Sequence, residues 1–258
     1  MARPRKIHVQ AELSFTTRPG DRRARGLRRV RKGVRLGRPP KGARSSERHK
    51  TRPDHDARHP VHVTLRVERA LGTLRARDKY KACRKALGRV LGRDDFRIVH
   101  ISLQDGHLHL LVEAADKGAL AKGIQAFEIS AARYLNQACS QRRGRIRRGR
   151  VFSDRYHARA IASPRGVRHA LAYVLNNWRR HGRDQGMESM FWAIDPFSSA
   201  TSFAGWSGDE LPRDESLETD GPLPVTRSET WLLTVGWKRH GLISPTEVPG
   251  AAARRMVA

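Results

Sequence analysis

Two short stretches of this chain carry side chains able to do chemistry together. After Gly106, His107-Leu108-His109-Leu110-Leu111-Val112-Glu113 alternates polar and apolar residues and ends in an aliphatic run, the pattern of a β-strand. Successive strand side chains point to opposite faces, so His107 and His109 share one face while Leu108, Leu110 and Val112 face a core. Two imidazoles ~7 Å apart along one strand can converge on a single divalent metal. The alternative is a pair of unrelated surface histidines in a chain that contains 12. The second stretch, Ala172-Tyr173-Val174-Leu175-Asn176-Asn177-Trp178, reads as helical. Tyr173 and Asn177 fall at about 240° and about 280° from Val167, beside the apolar stripe and not at its centre. A tyrosine there is either a boundary residue with a wet hydroxyl or a nucleophile that reaches a group held on the sheet.

The composition points to the partner. Lys plus Arg is 52 and Asp plus Glu is 25, a formal net charge of +27 in 258 residues. A charge of that size is a statement about polyanions, and nucleic acid fits better than a membrane because no basic amphipathic anchor is visible. Neither a signal peptide nor a run long enough to span a bilayer is read, so a cytoplasmic, nucleoid-associated protein is expected. Cys83 and Cys139 sit inside helical patterns and are expected as free, buried thiols; two cysteines exclude a CxxC-paired zinc site.

The elements that must position these residues follow in order. Residues 1–58 are dense in Arg, Lys, Gly and Pro and are expected to be a disordered nucleic-acid-binding tail. Within it Gly37-Arg38-Pro39 has the core of a minor-groove hook, although a generic phosphate-binding arm accounts for Arg38 as well. Residues 59–182 form the expected domain. Val61, Val63, Leu65 and Val67 alternate with polar residues as a strand, and 78–91 has helical spacing. Residues 96–103 read as a strand joined by Gln104-Asp105-Gly106 to the histidine strand, as an antiparallel pair. A helix over 117–141, a basic loop, a strand over 151–161 and a helix opened by Ser163-Pro164 complete the unit. The loop holds Arg142, Arg143, Arg145, Arg147, Arg148 and Arg150, and with Arg179 and Arg180 it is expected to contact phosphates. The fold class is therefore α+β: a ferredoxin-like split βαβ, β-α-β-β-α-β-α, with an antiparallel central sheet. Residues 183–258 read as an irregular C-terminal extension, an appendage packing on the main domain or a small docking element, whose role is not legible.

The combination resembles a known group. A His-aliphatic-His strand, the ferredoxin-like order and a downstream helical Tyr-x-x-x-Asn resemble the HUH single-strand nucleases with one catalytic tyrosine. Within them, His107-Leu108-His109-Leu110-Leu111-Val112-Glu113, Phe152-Ser153-Asp154-Arg155-Tyr156-His157-Ala158-Arg159 and Ala172–Trp178 are similar to the REP-associated tyrosine transposases, relatives of the insertion-sequence transposases that move single-stranded DNA. The resemblance covers about residues 59–182. It implies His107, His109 and Asn177 as ligands of Mg²⁺ or Mn²⁺ and Tyr173 as the nucleophile, with a 5′-phosphotyrosine intermediate on single-stranded or hairpin DNA. Related transposases often place Pro after this Tyr-x-x-x-Asn, where this chain has Trp178, so the helix is expected to continue through Arg179-Arg180-His181. Tyr156 is the second candidate nucleophile.

The rival reading is a non-catalytic, domesticated DNA or RNA hairpin-binding protein. An RNA-binding ferredoxin-like sheet displays exposed aromatics on its central strands, whereas these strands carry histidines and aliphatics. A structural zinc site would want softer ligands. A monomer is favoured over a homodimer.

Overall fold

Strand patterning and helix caps decide where the elements lie. A computed structural model describes residues 52–183, 185, 193–208 and 220–250. The chain runs β1 (Val61–Arg66), α1 (Arg77–Gly88), β2 (Phe96–Leu103), β3 (His107–Ala114), α2 (Lys117–Arg143), β4 (His157–Ala160) and α3 (Pro164–Arg180), then α4 (Trp231–Thr234) and a 3-10 turn, Gly236–His240. The four strands form one sheet in the order β2-β3-β1-β4 with every neighbouring pair antiparallel. This is the split βαβ order: each helical crossover joins strands that have a third strand between them. The expected tail, including Arg38 and its Gly-Arg-Pro, lies outside the described residues up to residue 51.

The sheet sorts its side chains by parity. Val61, Val63 and Leu65 of β1 and Leu108, Leu110 and Val112 of β3 are buried beneath α1 and α2, together with Phe96, Phe127 and Leu135. Helix α2 sits close against β2 because Gly123 has no side chain; a Cβ there would lie 2.1 Å from the Phe96 ring. Leu111 and Val99 point to the other face and pack against Val167, Leu171 and Leu175 of α3. Helix α3 starts as its sequence requires, with the Ser163 side chain accepting from the Gly166 N–H at 3.2 Å and Pro164 in the first turn. It ends at Arg180, with His181 as the cap and Gly182 at φ +64°.

One expectation is corrected. The strand expected over 151–161 is only His157–Ala160. Phe152 makes an isolated bridge to Val67, and Arg150 binds the Phe152 and Ser153 carbonyls, so the chain swings off the sheet before rejoining it. The C-terminal extension packs on the main domain as an appendage. Trp206, Leu232, Leu233, Trp237 and Ile243 join the core over α3, and the Ser198–Ser199 stretch bonds to the edge of β2 through Ser199 N–H to the Ile101 carbonyl at 2.9 Å.

Candidate active site

The histidine strand and the tyrosine helix meet on the α3 face of the sheet. His109 is buried, 3% exposed, and its Nε2 lies 3.0 Å from Nε2 of the partly buried His107. The Tyr173 ring stands edge-on to the His109 ring with centroids 5.0 Å apart. One helical turn beyond Asn177, the His181 ring lies 6.4 Å from that of His107. Residues 173, 177 and 181 follow one stripe of α3 and its cap. Tyr173 at one end packs on His109 and His181 at the other faces His107, with Asn177 one turn from each. Asn177 is 0% exposed, and among the described residues neither its Oδ1 nor its Nδ2 has a hydrogen-bond partner.

That orphaned amide and the facing nitrogens supply a test of metal fit. Two ligands at about 2.1 Å from one ion on adjacent octahedral positions stand about 3.0 Å apart, the spacing of the two imidazole nitrogens. A buried amide with nothing to bond is expected where an oxygen ligand awaits a cation. The residues therefore fit a hard, octahedral divalent ion bound by few protein groups. Among the described residues no three His, Cys, Asp or Glu side chains converge on a metal-sized site, and the further oxygen donor these residues offer is the Asn177 amide.

Burial keeps the imidazoles neutral, which is the form that can donate a lone pair. His109 is held far below the usual histidine range, at about 2, first by burial and then by the charges of His107, His62 and His181 when protonated. His107 is lowered by burial, with His181 and Arg66 adding to the effect and Asp105 opposing it.

Sequence reasoning missed two β1 side chains that meet His109 from behind. Thr64 pairs directly across from His109 in the β1–β3 register, and His62 lies two residues along the same face. His62 Nε2 is 3.1 Å and Thr64 Oγ1 is 3.3 Å from His109 Nδ1. Strand parity places His62 and Thr64 on one face of β1, but only the register with β3 says which residue they meet.

The other expected site residues separate into distinct places. Tyr156 packs on the opposite face of the sheet, against the core under α1 and α2, with the Arg52 guanidinium 3.6 Å above its ring; it does not meet the histidines. In the basic loop, Arg143 donates to the Ala70 carbonyl at 2.8 Å, Arg147 to Asn136 and to the Arg150 carbonyl, and Arg150 to the Phe152 and Ser153 carbonyls. These three build the loop, whereas Arg142, Arg145 and Arg148 are exposed. The residues after the loop rejoin the sheet where Ser153 N–H bonds to the carbonyl of Arg66, the residue paired with His107. Arg179 turns inward to the Pro245 and Ala193 carbonyls at 2.7 and 3.0 Å. Arg180 is exposed and, with Arg159, His169, His62 and Tyr173, lines a cleft of about 470 Å³. The tyrosine thus opens onto a basic cleft while its ring rests on a histidine.

Residues 57–177 match the family described as "Transposase IS200 like". This stretch is similar to the IS200-like transposase domain. Its bounds take in β1 through most of α3, and so His62, His107, His109, Tyr173 and Asn177, but not Arg179 or Arg180. A solved structure titled "Structure of the REP associates tyrosine transposase bound to a REP hairpin" is similar at 16% identity, with a TM-score of 0.45, over 65% of this chain and 96% of that one. No curated protein matches the chain. No helix among the described residues is long and apolar enough to cross a membrane.

Proposed function

We propose that the domain over residues 57–177 nicks and rejoins single-stranded DNA through Tyr173, acting on hairpins such as folded REP-type palindromes. The observation that carries this reading is the contact of the Tyr173 ring, at 5.0 Å, with His109, whose Nε2 faces His107 at 3.0 Å. A half-buried phenol then stands beside two lone-pair donors and a basic cleft, the parts that phosphoryl transfer to a tyrosine requires.

His107, His109 and Asn177 would hold Mg²⁺ or Mn²⁺, which when bound polarises the phosphoryl oxygens and offsets developing charge. The chain's own residues do the rest. Arg180 and Arg159 draw the phosphodiester into the cleft, and packing against His109 and His62 aims the Tyr173 hydroxyl. The Tyr173 oxygen forms a bond to phosphorus as the bond from phosphorus to the 3′ oxygen breaks. The tyrosine proton passes to solvent and the departing 3′ oxygen takes one up. The products are a 5′-phosphotyrosine and a free 3′-hydroxyl. Because the ester is retained on the protein, attack by another 3′-hydroxyl reverses the step and joins strands without a nucleotide cofactor. Exposed Arg142, Arg145 and Arg148 supply phosphate contacts.

Incubation of the full chain with labelled hairpin and single-stranded DNA, in Mn²⁺ or EDTA, tests the reading. A covalent adduct that needs the metal and disappears in Tyr173→Phe is expected, a loss of at least a thousandfold, about 4 kcal/mol of barrier or more. An adduct that survives the substitution assigns the nucleophile elsewhere. Tight hairpin binding without an adduct in any metal makes the protein a non-catalytic binder.

A further inference from the structure

We infer that His62 and Thr64 are positioning residues that fix the tautomer of His109, with the proton on Nδ1 and the Nε2 lone pair turned toward His107. This inference rests on the metal-binding role proposed for His109.

A neutral imidazole has one N–H and one lone pair, and the partner of one nitrogen decides the state of the other. His109 Nε2 faces His107 Nε2 at 3.0 Å, and for both to serve one cation His109 must carry its proton on Nδ1. That proton needs an acceptor, because His109 is almost wholly buried. Among the described residues two side-chain atoms lie within reach of Nδ1: His62 Nε2 at 3.1 Å and Thr64 Oγ1 at 3.3 Å. Both come from β1, and register places them there: Thr64 sits opposite His109, so its hydroxyl meets the ring edge-on. His62 addresses the far nitrogen of His109 and not the one facing His107, so its place is behind a ligand. A hydrogen-bond acceptor on the far nitrogen orients a metal-binding imidazole and raises its basicity.

His62 also fixes the ring's attitude toward the nucleophile. It stacks on His109 with centroids 5.1 Å apart at 28°, and stands edge-on to Tyr173 at 5.6 Å, while Tyr173 and His109 are 5.0 Å apart. The three rings close a triangle, so rotating His109 displaces both neighbours. One residue on β1 thereby sets the relation between a proposed ligand on β3 and the proposed nucleophile on α3.

The experiment reads the proton itself, in the full-length chain labelled with ¹⁵N-histidine and free of metal. Ring nitrogen shifts assign the His109 tautomer, and calorimetry with Mn²⁺ gives the affinity. Wild type is expected to carry the proton on Nδ1. The double variant His62→Phe/Thr64→Val keeps the volume and removes both acceptors; it is expected to mix tautomers and to bind Mn²⁺ about 10- to 100-fold more weakly. His62→Gln, which offers an amide oxygen near the same place, is expected to recover most of that loss. If the double variant does not fold, Thr64→Val alone replaces it and is expected to move the same shifts by a smaller amount. Wild-type His109 protonated on Nε2 overturns the inference, as does a folded variant that keeps both the Nδ1 proton and the Mn²⁺ affinity. Failure of DNA cleavage with the tautomer still set by His62 overturns strand transfer and leaves this inference standing.

Discussion

Asn177 is the residue whose environment is hardest to explain by folding alone. Its neighbour Asn176 donates to the Ser244 carbonyl at 2.9 Å and so ties α3 to the C-terminal segment. Asn177 is equally buried and bonds to nothing among the described residues. Leaving a buried polar atom unsatisfied costs about 1–3 kcal/mol, and a sequence keeps that cost where the group has other work. Asn177→Leu, nearly equal in volume, is therefore expected to leave the metal-free protein as stable as wild type or a few degrees higher in melting temperature. Mn²⁺ affinity is expected to fall at least tenfold in the same variant. A large drop in melting temperature with unchanged Mn²⁺ binding would make the amide structural. This trade was partly legible in the sequence: helical periodicity set Tyr173 and Asn177 beside the apolar stripe. The expected continuation through His181 put that residue on the stripe of Tyr173 and Asn177, but not its meeting with His107, which depends on how α3 sits on the sheet. Nor did the sequence reveal His62 and Thr64, whose meeting with His109 depends on pairing across 45 residues or more.

At the scale of elements, strands with strict alternation and helices with caps were readable, and segments held by side chains were not. β1, β3 and α3 follow from parity, the Asp-Gly turn and Ser163-Pro164. β4 is shorter than its apolar pattern because Arg150 and Arg52 hold the backbone before it, and nothing in a strand pattern encodes such carbonyl clamps. The C-terminal extension was opaque for a related reason: its isolated aromatics have no period, yet they complete the core over the tyrosine helix. Trp237 is buried, with its indole N–H donating to the Leu233 carbonyl at 3.0 Å, whereas Trp231 is 48% exposed. Trp237→Ala is expected to destabilise the protein by about 3–5 kcal/mol in denaturant unfolding. Trp231→Ala, which loses only partial burial and its contact with Arg239, is expected to cost about 1 kcal/mol or less. Equal effects would mean that the extension is not part of the core that positions Tyr173.

For the whole molecule, the same burial that readies the histidines limits the pH range in which the fold survives. Burial holds His100 at about 4; it holds His62 at about 4 as well, with the charges of His157 and Arg159 adding to the effect, and His109 lower still. An unfolded histidine titrates near 6.5. Below that pH the unfolded chain takes up protons at these positions while the folded protein does not, so their contribution to stability is complete above about 6.5 and is lost as pH falls toward 4. Glu128 acts in the opposite sense: burial raises its carboxyl to about 7, so the folded state gains from protonation as pH falls through that value. One such carboxyl offsets only part of what the histidines lose. The net expectation is a loss of about 1–2 kcal/mol per pH unit between pH 6.5 and 5, with stability greatest at or above pH 7. Melting temperatures at pH 7.5, 6.5, 5.5 and 5.0 check this. His100→Gln separates the cause from general acid sensitivity, because His100 is not one of the proposed metal ligands and its ring meets the Ser199 hydroxyl and Phe203. Removing its titration is expected to flatten the acid limb while leaving Mn²⁺ binding unchanged. A profile flat from pH 7.5 to 5, or an acid limb as steep in His100→Gln as in wild type, would mean that the buried histidines do not set it.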